Sequence, residues 1–253
     1  MIKIDSLSFG YKNKDILKNI SLEIPEKSLS VLIGLNGAGK TSLFKCLLKQ
    51  VNIPHGHIFY NNTDIHDLTL LSLAKIVSFV PQINDVILTD TIVRDYIVEA
   101  RTPYLKMFSV PNKDDYLLME KYAEKMGVLH LLDRDLSTLS GGELQLVLIT
   151  RALAQETPII IMDEPTSALD LLNQSKILNL IRKLNEEGKT IIFSSHDPNQ
   201  ANYLAASVCL IKDGTSLAYG PAKTLLNKEN LQKIYGDAID SGLIEGNMHI
   251  FIK

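Results

Sequence analysis

The sequence predicts an α/β fold: a mainly parallel sheet, an antiparallel β lobe at the N-terminus and a helical lobe inserted between core strands. Three observations carry that prediction. Short apolar runs alternate with segments of helical period along the second half, the pattern of a parallel sheet crossed by helices. One such run, Leu29-Ser-Val-Leu-Ile33, passes directly into a glycine-rich turn and then a helix. From Asp90 to about Leu136 the spacing becomes helical throughout. At 253 residues, 45% hydrophobic and 22% charged, the chain reads as one domain with subdivisions. These are a core with the antiparallel lobe over about 1–85, a helical lobe over 86–140, a second core segment over 141–220, and C-terminal helices with a hairpin over 221–253.

In order, Ile2, Ile4 and Phe9, then Ile20, Leu22 and Ile24, alternate with polar neighbours as two half-buried antiparallel strands do. Leu29 to Ile33 is denser, as a strand covered on both faces is. Leu43 to Leu48 reads as a helix starting at about Lys40, and Gly56 to Tyr60 and Ile76 to Val80 as strands. In the helical stretch, Pro103 and Pro111 break the pattern into pieces. A helix from about Gly142 to Ala154 is apolar nearly all round, hence buried. The strand Ile159 to Met162 follows, then an amphipathic helix with Leu171, Ile177, Leu178, Ile181 and Leu184 on its core face, then the strand Thr190 to Ser194. Val208 to Ile211 and Ser216 to Tyr219 form a hairpin about Asp213-Gly214. Two short helices and a hairpin turning at Glu245-Gly246-Asn247 close the chain.

Composition excludes several classes. With 26 Lys and Arg against 29 Asp and Glu the net charge is −3, which leaves no basis for a nucleic-acid partner. Cys46 and Cys209 sit in apolar stretches and are expected to be buried, reduced thiols. No run approaches the ~18 apolar residues of a membrane helix, and Met1-Ile-Lys-Ile-Asp-Ser lacks the apolar core of a signal peptide. The expectation is a cytoplasmic protein, with a partner supplying any membrane.

Gly34-Leu-Asn-Gly-Ala-Gly-Lys40-Thr41 fits G-x-x-x-x-G-K-[ST] in the required place, after a buried strand and before a helix. Gly34, Gly37 and Gly39 let backbone amides curl round phosphates, and the helix N-terminus points at the anion. Lys40 supplies a positive charge to the β- and γ-oxygens, and the Thr41 hydroxyl can hold Mg²⁺. A dinucleotide fingerprint fails because its third glycine position is Ser42 and it leaves Lys40-Thr41 without a role. The cradle alone leaves kinases, GTPases and ATPases open.

The second half narrows the choice. Ile159 to Met162 delivers Asp163 and Glu164 to a strand's C-terminal edge, where open α/β sheets bind ligands. Asp163 suits the Mg²⁺ shell, and Glu164 is placed to polarise a water for attack on the γ-phosphorus. Leu139-Ser-Gly-Gly-Glu143 offers a hydroxyl, backbone amides and a helix N-terminus, a second anion site. One triphosphate tail is already held by the cradle, so this site is best used on a nucleotide held by another subunit.

With these motifs in this order, essentially the whole chain resembles the ABC-type ATPases, the nucleotide-binding subunits of ATP-driven transporters. The resemblance implies a P-loop NTPase core. It implies that Asn36, Gly37, Ala38, Gly39, Lys40, Thr41 and Ser42 bind ATP, with Tyr11 stacking on adenine. Gln82, in Val80-Pro-Gln82, matches the glutamine that touches Mg²⁺ and senses the partner. Ser140, Gly141 and Gly142 match the signature, and Ser167-Ala-Leu-Asp170 the loop that crosses to the other subunit. His196, in Ser194-Ser-His-Asp197, matches the switch histidine at the γ-phosphate; the other five histidines match nothing and read as surface or packing residues.

The family resemblance further implies an ATP-closed homodimer on the cytoplasmic face of membrane permease subunits, served indirectly by an extracytoplasmic substrate-binding protein. Val98-Glu-Ala-Arg101-Thr-Pro103-Tyr104 is similar to the Gly-Arg-x-Pro-aromatic stretch of importers for iron-siderophores, haem and cobalamin, with Ala100 in place of glycine. The tail, Gly220-Pro221 through Asn230-Leu231 to Tyr235-Gly236, is similar as well, so a metal chelate or related oxyanion is the expected cargo. Glu143-Leu-Gln-Leu146 departs from the Gln-Arg-Gln-Arg of many relatives, placing two leucines on a helix expected near subunit and permease contacts. A soluble assembly ATPase of the iron–sulfur scaffold type shares every motif. A nucleotide-gated interaction module is opposed by the intact Glu164 and His196.

Overall fold

The computed structural model describes residues 1–12, 14–86, 90–244 and 247–252, so the Glu245-Gly246 turn expected in the last hairpin lies outside the described residues. In chain order the strands are β1 (Ile2–Tyr11), β2 (Lys14–Ile24), β3 (Leu29–Ile33), β4 (Ile58–Tyr60), β5 (Thr63–Asp64), β6 (Val77–Val80), β7 (Ile159–Met162), β8 (Thr190–Ser195), β9 (Ser207–Lys212), β10 (Thr215–Pro221), β11 (Ile239–Ile244) and β12 (Asn247–Ile252). The helices are α1 (Lys40–Leu47), α2 (Leu70–Ala74), α3 (Val93–Val98), α4 (Lys113–Lys125), α5 (Gly141–Ala154), α6 (Leu171–Glu186), α7 (Pro198–Tyr203), α8 (Ala222–Leu225) and α9 (Lys228–Tyr235), joined in places by 3₁₀ turns. β5, α2 and α7 are additions to the sequence reading; each is too short to show a period. The chain divides into two compact units, residues 1–68 with 181–253, and residues 69–180.

In the first unit, β2, β1, β4 and β5 form an antiparallel sheet in that order. Ile2 lies opposite Ile24 and Ile4 opposite Leu22, and all four are buried, as the alternation requires. The phase then slips at a bulge about Ser6, whose φ is +49°, so Leu7 is buried and Phe9 only half-buried. A second sheet runs β10-β9-β3-β8, with β9, β3 and β8 parallel. All five positions of β3 are buried.

The β9–β10 turn holds the two sheets of this unit together. Asp213 and Gly214 both have positive φ, 49° and 79°, the type I′ geometry that suits a two-residue hairpin. The Gly214 N–H donates to the Ala38 carbonyl at 3.2 Å, and its carbonyl accepts from the Lys18 N–H at 2.7 Å. A Cβ at Gly214 would stand 2.0 Å from the Ile16 carbonyl oxygen, so this position must be glycine.

α6 corrects the expected face. Ile177, Leu178, Ile181 and Leu184 are buried, but Leu171 is 84% exposed. It falls in line with Leu178, yet burial on this helix begins only at Ile177 and the opening turns stand in solvent. The sequence period gives the direction of a side chain, not the length of the layer it must reach.

In the second unit β6 and β7 are parallel neighbours, Val77 opposite Ile159 and Val80 opposite Met162. α3, α4 and α5 pack together through Val93, Ile97, Met119, Ala123, Val147 and Leu148, all buried. Leu144, one of the two leucines expected near subunit contacts, is instead a core residue. Arg101 is buried as well. Its Nε meets Asp115 at 3.2 Å, and Nη1 donates to the Ala154 carbonyl at 3.0 Å and to Glu156 at 3.2 Å. The guanidinium carbon lies 4.2 Å from the Tyr104 ring centroid, and the Tyr104 hydroxyl donates to the Gln155 carbonyl. The Arg-x-Pro-aromatic stretch is thus a clamp on the C-terminal end of α5, where a cation complements the helix dipole. Both cysteines are buried, which pushes each thiol up to about 12.

Gly214→Ala is expected to destabilise the protein well beyond Gly188→Ala. At Gly188 φ is +93° but nothing lies within 4 Å of an added Cβ, so only conformational strain of about 1–2 kcal/mol applies. Chemical denaturation of both variants measures the difference, and equal losses would contradict the close approach at Ile16.

Candidate nucleotide site

In the first unit, β3 and β8 run parallel with Ile33 opposite Ser195, so Gly34 and His196 leave the same sheet edge. Between β3 and α1 the loop folds back on itself. The N-cap of α1 is Gly39 at φ +102°, and no side chain caps it. A Cβ there would meet Leu17 Cδ2 at 2.9 Å and the Ile16 carbonyl oxygen at 3.2 Å. The first turn carries no acidic residue. An uncapped N-terminus without a local carboxylate offers its N–H groups to an anion. Asn36 and Gly37 are exposed at the loop tip, Ala38 is buried, and Thr41 and Ser42 are half-buried at the head of the helix.

Lys40 is 5% exposed, and its ammonium donates to the Gly34 carbonyl at 2.8 Å and the Leu35 carbonyl at 3.2 Å. The cation is therefore stored against its own loop, and a phosphate would exchange for these carbonyls. Tyr11 stands at the tip of the β1–β2 hairpin, 45% exposed, with Phe9 edge-on at 4.9 Å. A ring so placed presents a face on which a base can stack. The His196 carbonyl accepts from the Tyr235 hydroxyl at 2.7 Å while its side chain is exposed.

In the second unit, Val80 lies opposite Met162, and the Asp163 N–H donates to the Val80 carbonyl at 2.9 Å. Pro81-Gln82 and Asp163-Glu164 therefore emerge side by side. Asp163 is 2% exposed, and Glu164 is half-buried. Glu164 has φ +45°, an uncommon region for a residue with a Cβ. The turn is held by the Ser167 N–H and hydroxyl, which both donate to the Glu164 carbonyl, at 3.2 and 3.1 Å. Strain of this kind concentrates where a side chain must be aimed. An amide oxygen and a buried carboxylate at one strand edge are the hard oxygen donors that Mg²⁺ takes.

Ser140 is the N-cap of α5, in a closed capping box. Glu143 Oε2 accepts from the Ser140 N–H at 2.8 Å and the Ser140 hydroxyl at 2.7 Å, and the Glu143 N–H reaches back to Ser140 Oγ at 3.4 Å. Arg134 meets the other carboxylate oxygen at 3.2 Å. The hydrogen bonds from Ser140, with Arg134 assisting, hold the Glu143 carboxyl below the usual range. The Ser140 hydroxyl, one part of the anion position expected at this helix end, is thus already engaged by the chain's own carboxylate. Gly141 is exposed, and a Cβ at Gly142 would stand 3.2 Å from Asn173 Nδ2. That same Asn173 binds Asp170, donating from its backbone at 2.9 Å and its side chain at 2.8 Å. These bonds pull the Asp170 carboxyl down and close the first turn of α6.

The structure thus gathers the glycine cradle and His196 at one edge of the first unit. Within the second unit it gathers Gln82, Asp163 and Glu164 at the ends of β6 and β7, and sets Gly142 against Asn173, the partner of Asp170. The sequence shows Glu143 as the closing residue of S-x-x-E and Gly214 as half of an Asp-Gly turn, but not the contacts either makes at the site. Tyr235 carries no local signal, because its partner lies 39 residues away.

Comparison with known proteins agrees with this geometry. Residues 17–167 match the family described as ABC transporter. The chain is 32% identical over 233 residues to the ferric enterobactin transport ATP-binding protein of Escherichia coli, covering 92% of this chain and 86% of that one. It is 30% identical over 235 residues to the iron(3+)-hydroxamate import ATP-binding protein of Bacillus subtilis, covering 92% and 87%. Among solved structures, a transporter described as metal-chelate type, in an inward-facing conformation, superposes with a TM-score of 0.86 at 27% identity, covering 100% and 96%. A dimeric ATP-binding cassette in a post-hydrolysis state with ADP and phosphate superposes at 0.75 with 26% identity, covering 88% and 99%.

The lowered Glu143 carboxyl sets a pH dependence. A depressed pKa contributes stability that is present above the unfolded value, near 4.5, and is lost as pH falls through the folded one. Glu143→Gln is therefore expected to be less stable than the parent at pH 7, with the gap closing on acidification below 4.5. Thermal unfolding across pH 3–7 measures it, and a constant gap would mean that the carboxylate's charge is irrelevant to the cap.

Proposed function

The chain belongs to the ABC transporter family and is an ATPase, and from that premise we propose that it powers an importer of iron-siderophore or a related metal chelate. The observation that carries the proposal is the similarity, over nine-tenths of the chain, to ATP-binding proteins for ferric enterobactin and ferric hydroxamate. Among the described residues no helix is long and apolar enough to cross a membrane, so a separate permease is the proposed membrane partner. A substrate-binding protein outside the membrane would deliver the cargo, and the chain would work at the cytoplasmic face. Dimeric relatives support a pair of cassettes as the working form.

In this reading ATP lies with its phosphates on residues 36–42 and its adenine against Tyr11. Lys40 leaves the Gly34 and Leu35 carbonyls to neutralise the β- and γ-oxygens. Thr41, Gln82 and Asp163 are the oxygen donors proposed for Mg²⁺, which when bound offsets phosphate charge. Glu164 accepts a proton from the attacking water and His196 contacts the γ-phosphate. Ser140, Gly141, Gly142 and Asp170 meet the nucleotide of the opposite subunit. For that contact the Ser140 hydroxyl must turn from Glu143 to the phosphate. Closure of the pair is then a shift in population driven by a ligand that touches both halves.

Glu164→Gln keeps the shape and removes the charge, so turnover is expected to fall about 10²–10⁴-fold. Without a carboxylate repelling the γ-phosphate, that variant is expected to dimerise in Mg-ATP on size exclusion. Adding Ser140→Arg or Lys40→Ala should return it to monomer. Near-normal hydrolysis in Glu164→Gln would remove this residue from the chemistry.

The transport assignment is tested separately. A chain purified from detergent-solubilised membranes should bring down an integral membrane partner, and its loss should lower uptake of a ferric siderophore by the source cells. Recovery of soluble partners alone would favour an assembly ATPase.

A further inference from the structure

Away from the nucleotide residues, the loops flanking β4 and β5 bring together two histidines and a carboxylate. We propose that His55, Asp64 and His66 form a binding site for a divalent transition-metal ion of the zinc class. One potential ligand atom from each of the three lies within 4.8 Å of the others. The two imidazole centroids lie 4.0 Å apart with their planes 31° apart; because a metal bond lies in the ring plane, one ring must turn for both to serve one ion.

The carboxylate is in place before any ion arrives. Asp64 Oδ2 accepts from the Gly56 N–H at 2.7 Å and Oδ1 from the His66 N–H at 2.9 Å, which ties the residue beside His55 to the turn carrying His66. Each carboxylate oxygen retains a lone pair for a further partner. His66 is pinned from the other side too. The Lys49 ammonium, just past the end of α1, accepts no bond but donates to the carbonyls of Ile65, His66 and Leu68 at 3.1, 3.2 and 2.7 Å. With its backbone fixed from both sides, the His66 ring leaves Nε2 buried and without a hydrogen-bond partner. A buried polar atom in that state is destabilising, and a metal–nitrogen bond would supply the missing partner.

The donor set has the right chemistry. Two imidazoles and one carboxylate, with water completing the shell, form a recurrent zinc environment. Ligand atoms round a tetrahedral zinc stand about 3.3–3.5 Å apart, so the present spread of up to 4.8 Å must tighten by at most about 1.5 Å. His55 is exposed and can supply that by side-chain rotation. Both cysteines are buried, which removes the competing soft ligands. An ion held here would clip the residues ahead of β4 to the 3₁₀ turn after β5 and would rest the whole corner on Lys49.

Titration of the full, nucleotide-free chain with Zn²⁺ in excess Mg²⁺ tests the site by calorimetry. Replacement of Zn²⁺ by Co²⁺ reports the coordination by its visible absorption. The expectation is one ion per chain, a Co²⁺ band of low coordination number, and at least tenfold weaker binding in both His55→Ala and His66→Ala. His55 is exposed, so its variant should fold even if the His66 variant does not. No binding by the unsubstituted chain, or binding that survives unweakened in His55→Ala or in a folded His66→Ala, overturns the proposal. None of these readouts depends on ATP hydrolysis.

Discussion

Backbone must reach backbone where the glycine loop before α1 meets its neighbours, and side chains are excluded where it does. Gly214 shows how much hangs on that constraint. Its N–H holds the cradle through Ala38, its carbonyl holds β2 through Lys18, and the space a Cβ would need is occupied by the Ile16 carbonyl. Gly39 is subject to the same neighbours from the other side, with Leu17 and Ile16 against it. The antiparallel lobe, the β9–β10 hairpin and the head of α1 therefore meet at a point where two residues have no side chain. Burial of β3 supplies the stability behind that point, and the glycines make its geometry possible.

A second theme is that polar groups proposed to meet nucleotide already have internal partners. Lys40 is held by carbonyls of its own loop, Ser140 by Glu143, and Asp170 by Asn173. Binding is then an exchange of hydrogen bonds. Each exchange nets only about 0.5–1.5 kcal/mol for an ordinary hydrogen bond and more where a charge takes part. Such polar groups are satisfied without ligand. Glu143 is instructive because it is itself an anion at a helix N-terminus, the position in which a phosphate would be favourable.

The Arg101 clamp belongs to structure instead of recognition. Its guanidinium is engaged by Asp115, Glu156, the Ala154 carbonyl and the Tyr104 ring. The stretch that marks the chain as similar to chelate importers is thus a way of ending α5. A resemblance of this kind identifies a lineage through a packing solution.

How much of this was legible depends on distance along the chain. Gly34 to Ser42, Ile159 to Glu164 and Ser140 to Glu143 are contiguous, so residue type and order alone define a phosphate cradle, a carboxylate-bearing strand end and a capped helix. The strands and principal helices followed from period. Where tertiary contact intervenes, local reading ended. The bulge at Ser6 moved burial to Leu7, and Leu171 lies on the apolar stripe of α6 but beyond what that helix covers. His55 and His66 read only as surface or packing histidines, and the fold about β4 and β5 sets them against each other. The sequence by itself determined the local chemistry of each loop, because steric and hydrogen-bonding preferences act over a few residues. Only the tertiary structure decided which loops share an edge and which charges are already answered, because those depend on strand register and on partners tens of residues away.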